Sequence, residues 1–354
     1  MSKGSVLVAP LNWGLGHATR CIPIIKALQK YGYNPILASD GAALELLKKE
    51  FPELESYALP SLKIKYAKKG LWFKFKIVLQ SFRLYRCIQQ ERRFLKKLSH
   101  KIQLKGIIAD NRLGLYHRAI PCAILSHQLK VYSGSTTALT SWLHQYFIKK
   151  YDECWVPDKA GTPNLSGKLS HLKQTSLNLK YIGVLSRFEW TKQPLQYDIL
   201  ILLSGPEPQR SLLETKLLKE FKNYEGKVVM VCGVVEKEEV VYYEHAIKMI
   251  NFLKAKPLEK LILQSDIVIA RSGYTTLMDL AKLNKKAFFI PTPGQFEQQY
   301  LAKRLMAHHI APYCQQRHFK VEQLKKIDFC SGLNRLVLDG SLCFTSVFSL
   351  FDGK

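Results

Sequence analysis

Residues 266–300 read DIVIARSGYTTLMDLAKLNKKAFFIPTPGQFEQQY, and this stretch decides the fold. The apolar run Asp266–Ala270 has the length of a buried strand, and Tyr274 to about Leu283 has helical character. Between them a turn carries Ser272 and Gly273. A second apolar run, Ala287–Ile290, follows, and a Pro/Gly loop leads to Gln298-Gln299. A strand that turns into a helix leaves the first backbone N–H groups unpaired at the positive end of the helix dipole. That arrangement suits a phosphate or diphosphate. Asp279 lies one to two turns further in, where a carboxylate can accept bonds from sugar hydroxyls.

Working outward, the same alternation recurs along the whole chain. In the first half it predicts strands at Val6–Ala9, Pro35–Ser39, Gly106–Ala109, Cys122–Leu125 and Glu153–Val156. Helices are predicted at Ala18–Tyr31, Ala42–Lys49 and Thr136–Lys149. Periodicity breaks over SRFEWTKQPLQY, 186–197, and then restarts with Ile199–Leu203, Leu212–Phe221 and Val228–Cys232. Strand–helix alternation argues for parallel, doubly wound sheets. The expectation is an α/β chain of two Rossmann-like domains facing a cleft, over residues 1–190 and 191–354.

At 354 residues, 47% of them hydrophobic, the chain can build two cores. The eight cysteines are scattered without a CxxC pair, which argues against a disulfide scaffold or zinc ribbon and fits a reducing, cytoplasmic setting. No run of about 18 apolar residues is present, so neither a spanning helix nor a signal peptide is expected. There is no Asp-x-Asp and no His/Cys cluster with metal spacing, so neither a metal nor a cofactor is expected. The formal charge of +25 is uneven: residues 1–196 carry 31 Lys/Arg against 11 Asp/Glu, and 197–354 carry 22 against 17. An anionic partner is implied for the first half.

Asn12-Trp13-Gly14-Leu15-Gly16-His17-Ala18-Thr19-Arg20 lies between the first strand and the first helix. Glycines there allow a tight turn and a close backbone approach. His17, at the helix start, faces the cleft expected at the carboxyl ends of the strands, where a neutral imidazole can act as general base. Asp110-Asn111-Arg112 and Ser126-His127-Gln128 also follow strands, which makes Asp110, Asn111, His127 and Gln128 candidates for the acceptor side of the cleft.

Residues 266–300 and 12–20 resemble the GT-B glycosyltransferases of family 28, the group related to the peptidoglycan N-acetylglucosaminyltransferase. The family's Arg-Ser-Gly turn is present as Arg271-Ser272-Gly273, and its helix-start threonines as Thr275 and Thr276. Its ribose-binding glutamate falls on Asp279, and its Gln-Gln-Tyr on Gln298-Gln299-Tyr300. Gly14 and Gly16 match the family's glycine loop. Arg187 stands where the family has an arginine after a Gly-Asn-Pro-Val turn, here Gly183-Val184-Leu185-Ser186. Ser204-Gly205-Pro206 replaces its Gly-Gly-Ser loop. The resemblance implies inverting, metal-independent transfer from a UDP-sugar, of N-acetylhexosamine type, to a lipid-linked or membrane-associated acceptor. It implies that His17 serves as base and that the 272–276 turn stabilises the departing diphosphate. With no metal, the helix dipole and Arg271 or Arg187 would neutralise that charge.

Residues 61–105 hold 14 Lys/Arg and one acid, Glu91, interleaved with Leu71, Trp72, Phe73, Phe75 and further apolar residues. Trp72, Phe73, Lys74, Phe75 and Lys76 are the expected contacts with an anionic membrane surface on its cytoplasmic face. A helix that packs on its domain and solvates its lysines is the plainer alternative. Nucleic acid is not expected as a partner, because no recognition module accompanies the charge. Two rivals stay open: a nucleotide-sugar hydrolase or epimerase, since GLGHATRC resembles the Gly-x-Gly-His-x-x-Arg-Cys of UDP-releasing hydrolases, and a non-catalytic membrane-bound scaffold.

Overall fold

The computed structural model describes residues 3–61, 73–234, 238–333 and 344–352, with backbone alone for 73–81. The chain forms two α/β units. In the first, β1 (Ser5–Pro10), α1 (Gly16–Lys30), β2 (Asn34–Ser39), α2 (Gly41–Glu50) and β3 (Ser56–Ala58) build one wing. The other wing runs through α3 (Phe73–Lys101), β4 (Leu104–Asp110), β5 (Cys122–Leu125), α4 (Thr137–Ile148), β6 (Glu153–Val156) and β7 (Leu179–Tyr181). All seven strands are parallel, in the order β3-β2-β1-β4-β5-β6-β7. Chain order reverses between β1 and β4, so a crevice opens at their carboxyl ends, where ligands of open α/β sheets bind.

The second unit contains β8 (Tyr197–Leu202), α5 (Gln209–Phe221), β9 (Val228–Val231), β10 (Val241–Glu244), β11 (Ile247–Ile250) and α6 (Ala255–Leu263). It continues with β12 (Ser265–Ala270), α7 (Tyr274–Lys282), β13 (Lys286–Phe289) and α8 (Phe296–Ala307). Its sheet order is β10-β11-β9-β8-β12-β13, parallel except for the hairpin β10–β11. The sequence does not predict this hairpin, because Val241–Glu244 is exposed along its length and carries no buried-strand signature. The matching crevice lies between β8 and β12.

The central strands are nearly continuous runs of buried, mostly apolar residues because helices cover both faces of each sheet. The closing segment, α9 (Phe344–Phe348) and the turn after it, lies on the first unit. Phe348 and Phe351 meet Tyr33 and Trp155 edge-on or tilted, and the Tyr33 hydroxyl donates to Asp352 at 2.8 Å. Phe351 also fills the space above Gly106, where any Cβ would collide with its ring.

Helix α3 shows how one basic stretch serves two environments. Cys87, Ile88, Glu91, Leu95 and Leu98 are buried, while Arg92, Arg93, Lys96 and Lys97 face water. Glu91, the only acid of the stretch, accepts from Arg112 at 2.9 Å and from the Gly114 amide at 2.9 Å, so it anchors the helix to the loop after β4. Trp72 lies outside the described residues. Phe73, Lys74, Phe75 and Lys76 start the α3 backbone, but their side chains are outside the described set.

Candidate active site

The loop after β1 carries Gly14 in the left-handed region, at φ 76°, and delivers His17 to the first turn of α1. The His17 Nδ1 lies 2.9 Å from Asp110 Oδ1, at the carboxyl end of β4. Asp110 is fully buried. Burial alone would raise its pKa, but Arg20 and His17 outweigh that and hold the carboxyl well below the usual carboxylate range. Nδ1 faces two partners, the ionised Asp110 carboxylate, which only accepts, and an Arg20 nitrogen 2.9 Å away, which only donates. In the tautomer that donates to Asp110, Nε2 is left as the basic nitrogen. An imidazole held by a buried carboxylate has the geometry of a base and its orienting group.

Arg20 lies one turn along α1, where it shares a face with His17. Its guanidinium donates to both Asp110 oxygens, with Nε at 2.6 Å from Oδ2, and its third nitrogen is 3.0 Å from His127 Nδ1. Cys21 Sγ adds a contact to the same carboxylate at 3.7 Å. A buried ion pair costs desolvation, and satisfying every donor and acceptor offsets that cost. The result is a fixed position for the dyad.

Across the cleft, the turn after β12 leads into α7. Gly273 is the residue before the helix, and the Ser272 hydroxyl donates to the Gln298 carbonyl at 2.8 Å, tying the turn to α8. Thr275 Oγ1 lies 3.3 Å from the Gly16 carbonyl, and a Cβ on Gly16 would sit 2.8 Å from the same oxygen. Only glycine at 16 lets the positive end of α7 approach the His17 loop this closely. Tyr274 stacks on His127 with ring centroids 4.1 Å apart and donates to the Pro157 carbonyl at 2.9 Å.

Two further residues join the units. Glu297, in the first turn of α8, lies 2.7 Å from His127 Nε2 and 2.7 Å from Gln128 Nε2. Burial would lift its pKa, but His127 and Arg20 lower it overall. His127 is itself held below the usual histidine range by burial. Beside this contact lies a groove of about 450 Å³ whose walls include Lys130, Tyr132, Phe296, Gln299, Tyr300 and Lys303.

The fold is shared with known sugar-transferring proteins. Acinetobacter baumannii MurG superposes with a TM-score of 0.56 at 14% identity, covering 99% of each chain. The calicheamicin glycosyltransferase CalG4 gives a TM-score of 0.61 at 12% identity, with 99% of this chain and 92% of that one covered. Residues 204–327 match the Glycosyltransferase family 28 C-terminal domain. The chain is also 21% identical over 343 residues to the UDP-N-acetylglucosamine–N-acetylmuramyl-(pentapeptide) pyrophosphoryl-undecaprenol N-acetylglucosamine transferase of Histophilus somni. That alignment covers 92% of this chain and 90% of the relative. The chain has the GT-B fold and resembles the family-28 glycosyltransferases. An uncharacterized glycosyltransferase of Methanopyrus kandleri is 22% identical over 305 residues, 79% of this chain and 83% of that protein.

Several residues take places other than those expected. Asp110 was a candidate for acceptor binding; it is instead sealed beneath His17. Arg271 was a candidate for diphosphate binding, but its guanidinium turns into the second unit. It donates to the carbonyls of Ile290 (3.0 Å), Pro291 (3.2 Å) and Gln209 (2.8 Å) and to Gln316 Oε1 (2.9 Å). Burial lowers its pKa to about 10. Gln298 is likewise committed: its Oε1 accepts from the Thr292 amide at 2.8 Å and its Nε2 donates to Gln295 at 2.6 Å. Gln299 lines the groove.

Asp279 accepts from the Ser186 hydroxyl at 2.6 Å, across the link between units. Its side chain is largely surrounded by protein, and burial pushes it up to about 6, opposed by Ser186 and Arg187. Arg187 lies near Asp279 with a buried Nε that lacks a hydrogen-bond partner. Ser204 is exposed at the end of β8, and Thr276 is half-buried on α7. Asn111 adopts φ 52° with its buried Oδ1 unpartnered. Among the described residues, no group of three or more His, Cys, Asp or Glu side chains could hold a metal ion.

Sequence reasoning did not pick out Arg20, Tyr274 or Glu297. Arg20 had a usable signal, since it stands three residues after His17 on a helix. Glu297 had none, because its partners are about 170 residues away.

Proposed function

We propose that this glycosyltransferase is an inverting enzyme that transfers a sugar from a UDP donor to a hydroxyl of a membrane-associated acceptor. The observation that carries the reading is the His17–Asp110 pair at the first crevice, with the amino end of α7 closing on Gly16 opposite it. The acceptor oxygen attacks the anomeric carbon from the side away from UDP and gives its proton to His17 Nε2. As the carbon–oxygen bond to the diphosphate breaks, the departing UDP gains negative charge. The free N–H groups and dipole of α7 stabilise that charge as it develops. Asp110 keeps the imidazole in the right tautomer and stabilises its positive charge afterwards.

The named activity of the Histophilus somni relative supports an N-acetylhexosamine donor and a polyprenyl-linked acceptor. The basic outer face of α3 and the exposed Leu139, Trp142 and Tyr146 of α4 support a membrane surface as the place where that acceptor is met. No helix among the described residues is long and apolar enough to cross a membrane. Hydrolysis remains a second reading, because Arg20 and Cys21 of GLGHATRC both rest on Asp110, and the same dyad could activate water.

His17→Ala tests the chemistry. Turnover should fall roughly 10²–10⁴-fold, with UDP affinity by calorimetry nearly unchanged. Full activity in that variant would remove His17 as the base. Free sugar as the main product, with no glycosylated lipid, would establish hydrolysis instead.

A further inference from the structure

A carboxylate from the second unit reaches into the charged network of the first. Glu297 Oε1 meets His127 Nε2, and Oε2 meets the Gln128 amide, both at 2.7 Å. His127 Nδ1 lies 3.0 Å from Arg20, which grips Asp110, which in turn orients His17. The chain of contacts is therefore continuous from α8 to the basic imidazole. Tyr274 of α7 stacks on the His127 ring, so the second unit holds this histidine both in its plane and on its face.

The geometry points to Glu297 as a positioning residue for the transfer reaction: when the two units close, its carboxylate fixes His127 and, through Arg20, sets Asp110 and His17 in register. The inference rests on the proposed role of His17. It explains why a negative charge stands in the first turn of α8, beside a cleft expected to hold an anionic donor. There the carboxylate repels the donor slightly, and the bond to His127 and Gln128 offsets that cost. It also couples catalysis to closure. With the units apart, His127 and Gln128 lose Glu297, and Arg20 keeps Asp110, His17 and His127, but the last is no longer held from the second unit. The base would then be fully organised only when the donor-bearing unit has docked.

The charged and titratable groups around His127 are Arg20, His17 and Cys21 on α1, Asp110 at the end of β4, His144 on α4, Tyr274 on α7 and Glu297 on α8. Glu297→Gln keeps the shape and removes one negative charge from this set. Protonation of the network's imidazoles then becomes less favourable, so the acid limb of the kcat profile should move to lower pH. In steady-state transfer assays, Glu297→Gln should lower kcat about tenfold or more, while calorimetric UDP affinity changes less than twofold. Nitrogen-15 imidazole spectra should show His17 as the Nδ1–H tautomer in the parent protein and a mixture in the variant, a readout that needs no turnover.

Unchanged kcat, pH limb and tautomer would overturn the inference. So would a fall in kcat that tracks a lower melting temperature and weaker UDP binding with the tautomer intact, since that would make Glu297 a structural support only. Full activity of His17→Ala would instead overturn the reading of the base, whatever Glu297→Gln does.

Discussion

The crevice between β1 and β4 is filled with opposite charges in contact, whereas the crevice between β8 and β12 is lined by backbone and neutral groups. In the first, Asp110, Arg20, Arg112, Asp40 and Glu91 are all buried and paired. In the second, the deeply buried Arg271 bonds carbonyl and amide oxygens and faces away from the cleft. What remains on the cleft side there is the amino end of α7 and the hydroxyls of Ser204, Thr275 and Thr276. Two sheets of one topology thus divide the labour. In the proposed mechanism, one fixes ionised groups for proton transfer and the other offers dipoles to an anion that must later leave. A side-chain cation would hold the product diphosphate more tightly than a helix end does, where each interaction contributes about 0.3–1 kcal/mol.

The largest break in this comparison should come at Asp110. Asp110→Asn keeps the shape but can favour the wrong imidazole tautomer and leaves Arg20 without its counter-ion. Turnover should fall roughly 10²–10⁴-fold, and urea unfolding should show a loss of about 3–5 kcal/mol from the broken buried pair. Wild-type turnover would show that the dyad is not the working base.

Arg271→Leu should act on stability instead. Leaving three carbonyls unpaired should cost about 2–4 kcal/mol, with UDP affinity within twofold of the parent. A tenfold loss of UDP affinity at unchanged stability would restore the donor contact that the sequence resemblance implied.

Asp279 sharpens the contrast, because it is an acid of α7 turned to Ser186 across the link between the units. Its pKa is raised to about 6 in the folded protein, above the unfolded value of about 3.9. The protonated form is thus favoured on folding, and the stability from this group is lost as pH rises from about 4 through 6. Asp279→Asn should therefore stabilise the protein at pH 8, by about 1–3 kcal/mol after solvent screening, and not at pH 4. If Asp279 also binds the ribose, UDP affinity should weaken by about 1–3 kcal/mol. No pH-dependent gain would mean that Asp279 ionises freely, and unchanged UDP affinity would remove it from the donor site.

The smallest effect is expected at the outer surface. Trp142→Ser should lower binding to anionic vesicles by about 1 kcal/mol, and added salt should lower it further. Equal binding of parent and variant would leave α4 as an ordinary exposed helix.

Local pattern carried much of this. The apolar runs of five or six residues, each followed by an amphipathic segment, made parallel sheets legible, since strands covered on both faces need no polar alternation. The turns at His17 and at Ser272–Thr276 were legible because glycine and small hydroxyl residues mark places where backbone approaches a ligand or a neighbour. Side-chain direction was not legible. Arg271 and Asp110 occupy positions that a sequence assigns to the cleft because they follow strands, yet both turn inward. Arg271 finds three carbonyls and an amide there, and Asp110 finds Arg20. Residue type and spacing along the chain determined the two α/β units, the glycine loops and the placing of His17 at a helix start. Only the tertiary structure decided which charges met, because Glu297 and His127, 170 residues apart, become neighbours only when two separately folded sheets close on one another.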